Sequence, residues 1–161
     1  MRFVKELEVT YRRVQLGETE QPCIGRTLTS SQEAHALVRA ARIFDGRPDE
    51  SVWVIMLDTA NRVCGIHRIS EGGPGESLVS PVKIFRACIL ASASAFILVH
   101  NHPSNTIAPS QEDRRVTREV VLLGKAMHIC CLDHLILAND TPTFSSFADS
   151  GLIADLEKGR L

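Results

Sequence analysis

Apolar and polar positions recur with two different periods along this chain, and the switches between them mark out its elements. From Phe3 to Val14 the alternation is moderate and predicts a strand, followed by a loop around Gly17, Pro22 and Gly25. A capping-box pattern at Ser30-Ser31-Gln32-Glu33 opens a helix. In it Ala34, Leu37, Val38 and Ala41 follow at helical spacing until Asp45-Gly46-Arg47-Pro48 stops it. Val52 to Leu57 and Val63 to Ile69 are short runs rich in β-branched residues on either side of a turn at Asp58 to Arg62, which predicts a hairpin. After the break at Gly72-Gly73-Pro74-Gly75, Val82, Ile84, Phe85, Cys88 and Ile89 suit a largely buried helix, and Ala95 to Val99 suits a core strand. A second capping-box-like start, Ser110-Gln111-Glu112-Asp113, opens a helix with Val116, Val120, Leu123 and Met127 on one face. Ile129 to Leu137 predicts a further strand, and the tail from Gly151 a short helix or a frayed end. Strands and helices interleave without an internal repeat, so the expected fold class is α/β.

Composition narrows the function. At 161 residues, 44% apolar and 23% charged, the chain has the length and makeup of one globular domain. Eighteen basic against 19 acidic side chains leave a net charge of −1, which excludes a whole-chain basic charge of the kind that drives non-specific nucleic-acid binding. The uncharged stretch Ala87 to Val99, which ends at His100, is thirteen residues, short of the roughly 20 that cross a bilayer. The N-terminus has no apolar signal segment, so a cytosolic location is expected. Five cysteines, with Cys130 and Cys131 adjacent, predict buried reduced thiols rather than a disulfide framework.

Candidate chemistry concentrates between Val99 and Asp113. In an extended chain alternate side chains share a face, so His100 and His102 point the same way, and Pro103 biases His102 toward the extended conformation that keeps them so. The helix that starts at Ser110 carries Asp113 in its first turn, from where a carboxylate oxygen can reach the same point. Two histidines and one aspartate with an open fourth position form a catalytic zinc arrangement. The plainer role for these residues is two surface loop histidines and a helix-capping aspartate.

The spacing is strict: H-x-H, seven residues, Ser, two residues, Asp. It resembles the motif of the JAMM metalloproteases, which carry the JAB or MPN domain. ILVHNHPSN, PSQED, LDHLIL and SLVSPVKIFRACI are similar to the bacterial RadC-like branch, over roughly Ser30 to Phe147. The resemblance implies a mixed, curved sheet flanked by helices in three layers, as in cytidine deaminases. Residues 1–29 would be an N-terminal strand and loop extension, 30–150 the domain and 151–161 a C-terminal tail. It implies zinc held by His100, His102 and Asp113, with water as the fourth ligand, and hydrolysis of a peptide or isopeptide amide in a protein substrate. It also requires an upstream glutamate as general base. Glu50, just before Ser51 to Asp58, fits that strand start, with Glu71 as competitor. Ser110 is a helix cap by its own pattern and, by the resemblance, a stabiliser of the oxyanion.

Two departures stand out from the pattern. Asn105 occupies a position usually held by glycine, and asparagine tolerates the left-handed backbone that the turn needs. Val52 stands where an aromatic is usual. His134 reads either as a group behind the metal ligands or as a hydrogen-bonded core residue, the second being the commoner role. Arg114, Arg115 and Arg118 read either as a site for an acidic group or as a solvated helix face, with Glu119 placed to pair with Arg115.

Rival metal chemistries fail on the residues. A metallo-β-lactamase pattern needs Asp and His where Ser104 and Asn105 stand, and a nucleobase deaminase needs a glutamate and a cysteine pair that are absent. An HNH nuclease needs dispersed residues and a phosphate-binding surface. The remaining rival is a catalytically inactive JAB domain serving as a binding module in a DNA-repair or mobile-element complex.

Overall fold

The computed structural model describes residues 23–45, 48–71 and 79–159. The expected strand from Phe3 to Val14, Gly17, Pro22, and the break at Gly72-Gly73-Pro74-Gly75 lie outside them. In chain order the elements are α1 (Ser31–Ala40), β1 (Ser51–Leu57), β2 (Val63–Glu71), α2 (Pro81–Leu90), β3 (Ala95–His102), α3 (Gln111–Met127), β4 (Cys130–Ala138), β5 (Phe144–Ser146) and α4 (Leu152–Glu157). The strands form one sheet in the order β2-β1-β3-β4-β5. Only the β3–β4 pair is parallel, because α3 carries the chain back between them; the other pairs are antiparallel.

The apolar runs of β1 and β3 are buried at every position, which a strand covered on both faces requires. Period two divides them. Val52, Val54, Met56, Phe96 and Leu98 pack on one face with Ile84 and Phe85 of α2, Val120 and Val121 of α3, and Ile153 and Leu156 of α4. Trp53, Ile55, Leu57, Ile97 and Val99 pack on the other with Ala34, Leu37 and Val38 of α1. The result is a three-layer α/β domain. No described helix is long and apolar enough to cross a membrane.

The structure departs from expectation in four places. β3 continues three residues past Val99, because β1 pairs with it as far as His100 and β4 as far as His102. The ladder thus carries the polar His-Asn-His into the sheet. On α3 the buried stripe is Val116, Thr117, Val120, Val121 and Gly124, while Leu123 and Met127 are exposed. Gly124 turns the stripe: a Cβ there would lie 2.5 Å from the Ile129 carbonyl oxygen, so only glycine lets the last turn approach β4. β5 gives no alternating signal, being three residues long. Finally, the cysteines are unpaired, but only Cys88 and Cys131 are buried; Cys130 is exposed. Burial pushes the Cys88 thiol up to about 12.

Candidate metal centre

His100, Asn101 and His102 are the last residues of β3. Alternation sends the two imidazoles to one side and Asn101 to the other. His100 Nε2 stands 2.7 Å from His102 Nε2. Asp113 comes to the same point from α3, with Oδ1 3.3 Å from His100 Nε2 and Oδ2 3.7 Å from His102 Nε2. One ligand atom from each of the three residues lies within 4.8 Å of the others.

Local sequence brings Asp113 there. Asn105, with φ at +61°, turns the chain after β3 as its residue type allows. Its amide ties the loop to the β4–β5 turn, donating to Asp140 Oδ2 at 2.7 Å and accepting from Asp140 N–H at 3.0 Å. Ser110, extended at φ −71° and ψ 170°, caps α3. Its Oγ accepts from Asp113 N–H at 3.0 Å, while Asp113 Oδ2 accepts from Ser110 N–H at 2.7 Å and Oγ–H at 2.6 Å. The reciprocal box commits Oδ2 to the helix terminus and leaves Oδ1 facing the imidazoles.

Burial acts on the protonation of His100. Desolvation, reinforced by the neighbouring His134 imidazole, holds His100 well below the usual histidine range, against the opposing pull of Asp113. His102 Nδ1 lies 2.5 Å from the Thr106 carbonyl oxygen, which can only accept, so its Nε2 carries a lone pair toward the cluster. Two imidazole nitrogens and a carboxylate oxygen, with no thiol among them, form a donor set that fits a catalytic zinc site with one side open.

His134 is at the site, not merely in the core: its Nε2 lies 2.7 Å from His100 Nδ1, and its ring stacks on Phe147. Desolvation depresses its pKa to about 3. Thr117, which the sequence reading did not single out, sits 2.6 Å from His134 Nδ1. The i, i+4 step from Asp113 on one helix was the signal that could have found it.

Asn101 is the second residue missed, and alternation between two ligand candidates was its signal. It is fully buried and uses every hydrogen-bonding group it has. Oδ1 accepts from Ser51 N–H at 2.8 Å and Ser51 Oγ–H at 3.0 Å, while Nδ2 donates to the Asp49 carbonyl at 3.1 Å and Asn139 Oδ1 at 2.9 Å. These bonds pin the backbone on both sides of Glu50. Glu50 itself is half-buried and lies two residues before Val52, the register partner of His100. Glu71, the last residue of β2, pairs through its backbone with Ser51 of β1 and so lies one strand further from His100; its side chain lies outside the described residues. Arg115 forms exposed ion pairs with Glu112 at 2.6 Å and with Glu119 at 3.4 Å, as a solvated helix face does.

Residues 28–152 match the model of the RadC-like JAB domain. The chain is 41% identical over 104 residues to a UPF0758 protein of Symbiobacterium thermophilum, covering 65% of this chain and 44% of that one. A UPF0758 protein of Salinibacter ruber is 44% identical over 100 residues, covering 62% and 42%. One from Flavobacterium johnsoniae is 32% identical over 127 residues, covering 79% and 54%. The chain thus spans about half the length of these relatives.

Proposed function

The chain belongs to the RadC-like JAB domain family, and from that premise we propose that it is a cytosolic zinc-dependent hydrolase that cleaves a peptide or isopeptide amide in a protein or peptide substrate. The observation that carries this reading is the convergence of His100 Nε2, His102 Nε2 and Asp113 at the end of β3. His100, His102 and Asp113 would hold the zinc, which would supply a Lewis acid able to bring the pKa of a bound water down to about 7.

The chain's own residues supply the rest. Glu50, fixed between two backbone points that Asn101 holds, takes the proton of the attacking water and hands it to the leaving amine. Its place beside the β1–β3 ladder favours it over Glu71, which β1 separates from the histidines. Ser110 Oγ–H, which donates to Asp113 Oδ2, turns to the developing oxyanion while its lone pair keeps the Asp113 N–H, so the helix stays capped.

The test is to load the protein with zinc, incubate it with isopeptide-linked peptides and a proteome-derived peptide library, and read new termini by mass spectrometry. Cleavage by the wild type that disappears in Glu50→Gln, with zinc retained, is the expected result. Undiminished cleavage by Glu50→Gln would overturn the base. No cleavage by the zinc-loaded wild type would favour the binding module.

A further inference from the structure

On the α1 face of the sheet, opposite the candidate ligands, a cavity of about 690 Å³ opens at the ends of β3 and β4. Its wall comes close to the candidate centre from two sides: Pro103 follows His102 directly, and Pro48 stands two residues before Glu50. Asn139, also in the wall, accepts from Asn101 Nδ2, on the residue between the two histidines.

Among the described residues of the wall, Arg39 carries the one partly buried charge; it projects from the last turn of α1. Four hydrogen bonds hold its guanidinium, and every acceptor is neutral. Nε–H donates to His35 Nε2 at 3.2 Å, Nη1–H to the Asn139 carbonyl at 3.3 Å, and Nη2 to the carbonyls of Ala138 and Thr141. Burial, and then the guanidinium itself, hold His35 below the usual histidine range, so that imidazole adds no charge at neutral pH. Among the described residues no carboxylate pairs with Arg39. The two carboxylates of the wall are engaged elsewhere, Asp45 with Arg42 Nε at 2.5 Å and Asp140 with Asn105 Nδ2 at 2.7 Å.

Four of the five guanidinium donors are thus used, and one Nη1–H and the whole positive charge are left. A partly buried cation ordinarily finds an anion, because neutral acceptors orient it without cancelling its charge. The same four bonds fix the fork in advance, so a ligand loses little in ordering it.

We propose that this cavity binds a carboxylate of the substrate, a few residues from the amide to be cleaved, with Arg39 as the contact that sets this specificity. The cavity and the candidate centre lie on opposite faces where β3 ends, and an extended peptide passing over Pro103 reaches both. A single spare donor suits a monoanion, and the rim carboxylates of Asp45 and Asp140 oppose a doubly charged phosphate. Buried Phe44, with Pro48 and Pro103, suits the aliphatic stem of an acidic side chain or of a peptide C-terminus. The use in hydrolysis rests on the function proposed above; the binding does not.

The test titrates metal-free, 15N-labelled protein with three short peptides and follows the Arg39 Nε–H and Asn139 Nδ2 signals by NMR. The peptides are acetyl-Ala-Glu-Ala-amide, its Gln counterpart, and acetyl-Ala-Gln-Ala with a free C-terminus. Expected is saturable binding of at least one carboxylate peptide, ~10-fold or more tighter than the neutral one, with both signals shifted; whichever binds names the source of the carboxylate. Arg39→Gln is expected to abolish the preference, and Asp140→Asn, which lifts a negative charge from the rim, to strengthen it a few-fold. If Arg39→Gln does not fold, Asp140→Asn and the peptide series still decide. No binding of either carboxylate peptide, equal binding of the neutral one, or a preference that survives Arg39→Gln would overturn the inference. Since no zinc is present in these titrations, a zinc-loaded protein that cleaves no amide would remove the proposed hydrolase and leave the carboxylate site standing.

Discussion

Helices α1 and α3 begin with the same device and put it to different use. In α1, Ser30 Oγ accepts from Glu33 N–H at 3.2 Å, and the Glu33 carboxylate reaches one residue past the cap, accepting from Thr29 N–H at 2.6 Å and Thr29 Oγ–H at 2.9 Å. It is exposed, and the backbone bond from Thr29 holds its pKa below the usual carboxylate range. In α3 the carboxylate is one methylene shorter. Asp113 closes on Ser110 itself with Oδ2, and Oδ1 stays 3.3 Å from His100. Each acid commits one oxygen to its helix terminus, Glu33 Oε2 and Asp113 Oδ2, but only the shorter one, set beside the end of β3, turns its other oxygen to an imidazole. The same four-residue pattern therefore yields a cap in one place and a cap with a candidate ligand in the other.

The sharpest way to break this comparison is to remove each acid. Asp113→Ala is expected to weaken zinc by more than the ~10–100-fold typical of losing a group behind the ligands, whereas Glu33→Ala leaves zinc affinity unchanged; chelator competition reads both. Equal affinity in the two variants would make the two helix starts alike.

Acid should reach the α3 side through its buried histidines. Unfolded His134 takes up its proton near 6.5 and folded His134 only at about 3, so between these values the unfolded chain binds more protons. Depressed His100 acts in the same sense. Stability of the metal-free protein is thus full above pH 6.5 and falls on acidification, by up to about 1.4 kcal/mol per pH unit for each such group. Buried Asp133, whose carboxyl desolvation raises, acts in the opposite sense and offsets part of this at the acid end. Urea titrations at pH 7, 6 and 5 check the slope, and a flat profile would contradict it.

Asn101→Leu strips partners from Ser51, Asp49 and Asn139 at once. A loss of about 3 kcal/mol in urea is expected, from unsatisfied groups at ~1–3 kcal/mol each, with zinc affinity less affected than hydrolysis. Smaller again are the caps. Ser30→Ala and Ser110→Ala should each cost about 1 kcal/mol, but only the second also weakens zinc, since Asp113 Oδ2 loses its hydroxyl donor. Arg115→Ala should leave the unfolding midpoint within error, because its partners are exposed.

Much of the fold could be read from periodicity because both α1 and the β1–β2 hairpin show their burial locally. β1 is an apolar run between turn residues, and α1 a cap followed by apolar positions at helical spacing. β5 could not be read, since its three residues are held by pairing with Leu135, Ile136 and Leu137 rather than by any pattern of their own. The apolar face of α3 was misplaced because Leu123 and Met127 fit a helical stripe by type, and only the approach to Ile129 at Gly124 rotates it. At the site, His100, His102 and Asp113 were visible as spacing, and the structure brings them together. The residues that hold them were not: Asn101 acts across the sheet and Thr117 from α3 onto β4, on groups 50 and 17 residues away in sequence. His134 looked like an ordinary core histidine because its partner, His100, lies 34 residues upstream on the adjacent parallel strand.

The proposed zinc sits on two imidazoles and a carboxylate at the end of β3. X-ray absorption at the zinc edge, on protein loaded with one equivalent of zinc, tests it most directly. Expected are nitrogen and oxygen ligands only, at ~2.0–2.2 Å, fitted with two imidazoles. Sulfur scattering at ~2.3 Å would place the ion on the cysteines instead, and failure to take up zinc would remove the centre altogether.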